Sequence, residues 1–377
     1  RNVQIGNERV LRARLDDAKF FFDGDRRKSL EGHREALSRI NYQEGMGTML
    51  DKSDRLVKLV EAIGEDWNFT DTEKADVRRA AYLSKSDLAT GMVTEFTELQ
   101  GEMGKEYALL DGEKPKVAAA IFEQYMPRFA GDVLPKSSIG RALSLSDKLD
   151  NLAATFLRRL IPTGSQDPFA LRRQTIGAVH ILTDGEIHWD VRKGVKMALA
   201  LLPGTQEEKD TAADKVEDFF RQRIKAILLD EGVDYDIVDA VLAGAIDDVY
   251  AIFLKAHSMM DSHVKGELEM RQAVTRLVNI TKGKSAVEIR PELFTEEAEK
   301  NLYAALEKAG EEVTNVYNAY DYGSALPALK TLTVPINQFL DSVMVMVEEE
   351  VVRNNRISLL INVLDVYSRW GDFSKLV

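Results

Sequence analysis

Apolar side chains recur at intervals of three and four along most of this chain, and no segment sustains the alternation of a half-buried strand. Leu11, Leu15, Ala18 and Phe22 share one helical face. Leu56, Leu59, Val60 and Ile63, with Leu50 ahead of them, form another amphipathic stretch. Val216, Phe219, Phe220, Ile224 and Ile227 do the same within 205–229, and Leu359, Val363, Val366 and Trp370 close the chain. Gly-rich turn chemistry is sparse. A sequence patterned in this way is restricted to packed helices, so the expected fold class is all-α.

With 377 residues, the chain has room for two or three domains of roughly 100–200 residues. Nothing in it approaches the ~18 uninterrupted apolar residues of a membrane span. The absence of cysteine excludes disulfides and thiolate metal sites and suits a reducing cytoplasm. A net charge of −12 disfavours non-specific binding to nucleic acid or anionic membrane. It leaves room for local basic patches, because salt confines a charge's reach to ~10 Å. Arg1 in place of Met reads as a fragment or a processed chain.

Punctuation divides the chain into 1–160, 161–265 and 266–377. The first part opens on a basic, aromatic helix over 10–22. Around it Arg12, Arg14, Lys19, Arg26, Arg27 and Lys28 form either a solvated face or a surface for phosphates. A helical block follows over 47–160. In it Asp71 or Thr72 caps one helix with Glu73 in the first turn, Pro115 starts another, and 126–135 forms a loop. A long helix over 139–160 carries Asp147 and Asp150. The segment 161–168 is the clearest boundary, with Asp167 as N-cap and Pro168 at the first helical position. Arg172 and Arg173 then oppose the dipole of the helix they begin, which points to a contact rather than local stability. The last part reads as a bundle of about four helices, one interrupted at Pro335.

The block at 47–160 resembles, in helix order, the HD superfamily of metal-dependent phosphohydrolases. That family holds its metal with His, His-Asp and a later Asp. Here Asp87 and Asp147 take plausible carboxylate positions, but Ser86 stands where the paired His belongs, and the block has no histidine. Two carboxylates hold Mg²⁺ weakly at best, so the expectation is no metal and no hydrolysis. Of the five histidines, His257 and His263 are closest in sequence, and their spacing puts them on different helix faces. No phosphate-binding glycine loop, serine elbow or catalytic cysteine occurs. What remains is basic and amide residues at helix ends: Arg276, Lys282 and Lys284 at one, and Arg353, Asn354, Asn355 and Arg356 at another.

These stretches fall in a recognisable order. Val10-Leu11-Arg12-Ala13-Arg14-Leu15-Asp16-Asp17-Ala18-Lys19-Phe20-Phe21, Leu83-Ser84-Lys85-Ser86-Asp87-Leu88-Ala89-Thr90-Gly91-Met92-Val93 and Glu98-Leu99-Gln100-Gly101-Glu102-Met103-Gly104 come first. Pro127-Arg128-Phe129-Ala130-Gly131-Asp132, Ser146-Asp147-Lys148-Leu149-Asp150 and Asp167-Pro168-Phe169-Ala170-Leu171-Arg172-Arg173 follow. Phe339-Leu340-Asp341-Ser342-Val343-Met344-Val345-Met346-Val347 and Arg353-Asn354-Asn355-Arg356 end the series. In these motifs the chain resembles the C-terminal half of bacterial glycyl-tRNA synthetase beta subunits. One departure is Leu340, where a second Phe is expected.

The resemblance implies an HD-like helical domain, a helical linker region and a C-terminal anticodon-binding bundle. It implies glycine tRNA and a separate alpha subunit as partners, and no membrane. No catalytic or metal-binding residue is assigned to this chain, and ATP, Mg²⁺ and glycine go to the alpha subunit. Under it, Arg12, Arg14, Lys19, Lys85, Arg128, Arg172 and Arg173 are expected to contact the tRNA body, largely through phosphates. Arg276, Lys282, Lys284, Arg353, Asn355 and Arg356 are expected at the anticodon, where Arg and Asn suit unpaired bases. The structural alternative pairs Arg356 with the acids at 348–350. Two other functions compete: a helical scaffold with protein partners only, and an HD-type phosphohydrolase.

Overall fold

The computed structural model describes residues 2–164 and 166–377. Among them no sheet forms. The two isolated bridges, Asn41 to Thr48 and Thr163 to Gln166, only tighten loops. The fold is all-α. Two compact units divide it, Arg1–Arg223 and Ile224–Val377, and the division falls inside one long helix.

The first unit contains α1 (Asn2–Asp25), α2 (Leu30–His33), α3 (Met49–Asp66), α4 (Asp71–Leu83), α5 (Gly91–Glu95), α6 (Glu102–Leu110), α7 (Pro115–Glu123), α8 (Ser138–Leu157), α9 (Leu171–Asp184), α10 (Val191–Ala200) and most of α11 (Gln206–Asp230). α8 is its axle: α3, α4, α7, α9 and α10 all pack on it. Leu143, Leu145, Leu149, Leu152 and Phe156 are buried along it, as the periodicity predicts. So are Ser144, Ser146, Asp147, Lys148 and Asp150. A helix sunk on every side keeps polar residues only where they find partners, and that condition shapes the site described below.

Local signals set the helix ends. Thr48 and Asp51 form a reciprocal capping box on α3. On α4 the cap is Thr70, not Asp71 or Thr72. Thr70 has the extended backbone a cap requires, whereas Asp71 already belongs to the first turn, and Glu73 closes the box. The long helix stops at Leu157 because Arg159 turns left-handed, at φ 59°. α9 begins at Leu171, three residues after Pro168, the expected first helical position, with Ala170 left-handed at its N-cap position. Asp167 still serves that terminus, accepting from Leu171 N at 2.8 Å and Arg172 N at 3.0 Å.

α1 is longer than its periodic stretch, and its apolar face departs from expectation. Leu11 is 61% exposed and Leu15 67%. The helix is anchored at its last turn instead. Phe22 lies 5.6 Å from the Tyr107 ring. The Asp25 carboxylate accepts from Gly91 N, Met92 N and the Tyr107 hydroxyl at 2.7–2.9 Å.

The second unit holds the end of α11, then α12 (Tyr235–Val241), α13 (Val249–Asp261), α14 (Leu268–Thr281), α15 (Glu297–Asn318), α16 (Leu326–Thr331), α17 (Thr333–Ser342) and α18 (Glu350–Ser368). Phe339, Tyr367, Trp370 and Phe373 are buried at its centre. Tyr367 donates to Leu329 O and Trp370 Nε1 to Ser258 Oγ, each at 2.8 Å. The expected interruption at Pro335 lies three residues earlier, at Leu332. That break places the proline in the first turn of α17, where its missing N–H costs nothing.

Candidate nucleic-acid interface

Of the two carboxylates that echo a metal site, Asp147 is paired with the chain's own cations, as is its neighbour Asp150. Lys52 Nζ sits 3.0 Å from Asp147 Oδ1 and 2.8 Å from Asp150 Oδ2. Lys85 Nζ approaches the same Asp147 oxygen at 3.1 Å. Arg55 forks onto Asp150, Nε to Oδ1 at 2.6 Å and Nη2 to Oδ2 at 3.1 Å. Burial opposes the ionisation of Asp147, yet Lys52 and Lys85 outweigh it and hold the carboxyl well below its usual range. Asp87 points elsewhere, accepting from Gly101 N at 2.6 Å. Burial raises its pKa to about 6, against the pull of that N–H and of Lys85. Among the described residues, no three of His, Cys, Asp and Glu converge as a metal set.

Sequence reasoning passed over Lys52, Arg55 and Lys148 in this cluster. One signal was present. Lys52 continues the stripe Leu56, Leu59, Ile63 at i, i+4, i+7 and i+11, so a helical reading buries it and obliges it to find an acid. Lys148 is the odder group. Its ammonium donates to Met126 O and Ser144 Oγ, both at 2.7 Å. Burial lowers its pKa to about 7, although Asp147 acts against the shift.

The basic residues expected to meet tRNA separate into exposed and internal groups. Arg12, Arg14 and Lys19 all stand exposed on α1, with the Arg14 guanidinium 5.4 Å from the Phe96 ring centre. Arg128 is exposed and held by Asp132 at 2.9 Å, while Arg172 donates to Gly164 O and Arg173 is exposed. Lys85 does not belong with them. It is buried against Asp147 and the Tyr125 ring.

The second unit corrects the picture more sharply. Asn355 is buried, and its amide brackets the backbone of Arg290, accepting from N at 2.7 Å and donating to O at 3.0 Å. Ser358 Oγ accepts from Val287 N one turn on. Arg356 pairs with Glu299, not with the acids at 348–350. Nε meets Oε1 at 2.8 Å and Nη2 meets Oε2 at 3.2 Å, while Nη1 caps Met344 O. Glu299 also accepts from Thr295 N and Glu296 N. The start of α18 is therefore a staple that fixes 287–299, and two side chains expected to read bases are fully occupied inside the fold. Arg353 is half-buried and holds Val347 O and Glu348 O.

Outward-facing groups lie at the end of α14. Lys282 is exposed before Gly283, whose φ of 71° ends the helix. Lys284 reaches Met346 Sδ at 3.1 Å. Met344 and Met346 are exposed apolar side chains in the same 343–349 loop. Arg276, also exposed, is engaged with Asn337 and Asp341. Cations beside bare thioethers suit a strand that offers both phosphates and unpaired bases.

Comparison with known proteins now decides the family. Residues 1–243 match the family model "Glycyl-tRNA synthetase beta subunit", and 270–368 match the "DALR anticodon binding domain". The chain belongs to the glycyl-tRNA synthetase beta subunit family. Similar proteins include the glycine–tRNA ligase beta subunits of Desulforamulus reducens, 40% identical, and Clostridioides difficile, 42% identical, each over 100% of this chain. That of Halothermothrix orenii is 41% identical over 99% of it. The chain spans 54–55% of the length of these beta subunits. As a family member it carries the anticodon-binding domain in the second unit, where exposed Lys282 and half-buried Lys284 follow α14 and exposed Met346 lies in the 343–349 loop. No helix among the described residues is long and apolar enough to cross a membrane.

Proposed function

We propose that this chain is the tRNA-binding part of a glycine–tRNA ligase beta subunit, acting in the cytoplasm. It holds glycine tRNA for aminoacylation by a separate alpha subunit, to which ATP, Mg²⁺ and glycine belong. The observation that carries this reading is the anticodon-binding match over 270–368. In this reading the HD-like part at 1–160 meets the tRNA body, 161–265 links, and 266–377 receives the anticodon. Arg12, Arg14 and Lys19 supply phosphate contacts along an exposed helix. Lys282 and Lys284 supply them near the anticodon, with Met344 and Met346 as an apolar bed for splayed bases. Asn355 and Arg356 shape that bed from behind. The buried lysine–carboxylate cluster speaks against phosphohydrolysis, because Lys52 and Lys85 sit where a cation would be held. The deciding experiment is a gel-shift titration with glycine tRNA and a non-cognate tRNA. Tighter binding of glycine tRNA, lost when its anticodon cytosines are replaced, is the expected outcome. Equal affinity for both tRNAs would remove the anticodon role.

A further inference from the structure

In the first unit a cavity of about 370 Å³ opens beside the buried cluster, within the size range of small-ligand sites. Its lining is cationic. Lys52, Lys85, Arg128, Lys148 and Arg173 all contribute, against Asp147 as the lining acid. The excess belongs to the lining itself: with Arg55 behind the wall there are six cations, and Asp51, Asp87, Glu102, Asp132, Asp147 and Asp150 lie near them. The three lysines are between 2% and 4% exposed. Lys148 has only neutral oxygens as hydrogen-bond partners, and Asp147, which acts on it through space, is already paired with Lys52 and Lys85. Two further polar atoms lining the cavity are buried and unpartnered, the Tyr125 hydroxyl and Gln124 Oε1. Gln124 is fully buried.

We propose that this cavity is a binding site for the terminal phosphate of a small phosphomonoester or for free phosphate. Three ammonium groups, a guanidinium and a phenol offer more donors than the two oxygens of a carboxylate use, and a phosphate's tetrahedral oxygens match them. The depth of the lysines selects a terminal group, because an internal phosphodiester in a duplex does not reach ammonium groups so far from solvent. Gln124 Oε1 remains as an acceptor for a ligand hydroxyl, and Tyr42 and Phe169 supply flat apolar wall. The site does not depend on tRNA binding.

The test is calorimetric titration of the purified chain, without tRNA, using inorganic phosphate and 5′-AMP at ionic strength held constant with chloride. Saturable binding is expected. Arg173→Gln lies at the exposed rim and leaves the core intact, and it should weaken binding about tenfold, the loss of one charge-assisted hydrogen bond. Lys148→Met, with its fold checked by circular dichroism, should weaken it at least as much. Tighter binding of 5′-AMP than of phosphate identifies a nucleotide as the source, and the reverse order identifies free phosphate; either upholds the site. Failure of both probes to saturate, or unchanged affinity in Arg173→Gln, overturns it.

Discussion

Replacing Arg356 by Ala separates a base-reading role from a structural one. In the structure Arg356 is 6% exposed and Glu299 0%. Removing the guanidinium leaves a buried carboxylate with two backbone N–H donors and no counter-charge, and it also uncaps Met344 O. Deleting one partner of a buried pair costs ~3–5 kcal/mol. The two surviving N–H bonds place the value near the lower end, about 3 kcal/mol. Against a typical 5–15 kcal/mol this is a large fraction of the unit's stability. Trp370 is the sole tryptophan of residues 224–377, so in a Trp67→Phe, Trp189→Phe background its fluorescence follows this unit alone. With a slope of ~2 kcal/mol/M, the urea midpoint should fall by roughly 1.5 M. Glu299→Gln combined with Arg356→Met should recover most of the loss, since a neutral pair of similar volume removes the stranded charge. An unchanged midpoint in Arg356→Ala, together with relaxed discrimination among anticodon variants, would refute the structural assignment and restore the residue to the interface.

Arg12→Gln with Arg14→Gln should weaken every tRNA alike and reduce the slope of log affinity against log salt by up to about 2; unchanged slope and affinity would make these arginines a solvated face only. Gly101→Ala should cost about 1–3 kcal/mol by urea denaturation. At φ 85° its new Cβ would stand 2.6 Å from the Tyr125 ring, on the residue whose N–H serves Asp87; wild-type stability would show that the turn readily relaxes. For Asp87, burial raises the folded pKa to about 6, above the unfolded value of ~3.9. The group's contribution is therefore fully present below pH ~4 and lost as pH rises through about 6. The stability of Asp87→Asn relative to wild type should accordingly climb by on the order of 2–3 kcal/mol between pH 4 and pH 7. A pH-independent difference would mean that Asp87 titrates normally.

The helices were legible because their apolar periodicity is local: α3, α8 and α15 carry their buried faces in plain order. Caps were less so. Thr70 and Asp71 are both good capping residues, and only backbone dihedrals decide between them. The exposed face of α1 was misleading for another reason, since an apolar stripe states a need for cover without naming what covers it. In the candidate interface, exposed Arg12, Lys19 and Lys282 were identifiable by residue type. Lys85, Asn355 and Arg356 were not separable from them by type, because their partners Asp147, Arg290 and Glu299 lie 62, 65 and 57 positions away in sequence. A polar residue on a buried face is the signal that distinguishes the two groups, and Lys52 displayed it.

The lysines around Asp147 have a consequence for where such a chain can work. A unit whose central carboxylates require a metal folds only as far as that metal is supplied, and a chelator or a starved cell can undo it. Lys52 and Lys85 arrive with the polypeptide, one to each molecule, at a local concentration that no depletion alters. For Asp147 and Asp150 the counter-charge is thus part of the chain itself and is not drawn from solution as a divalent ion would be.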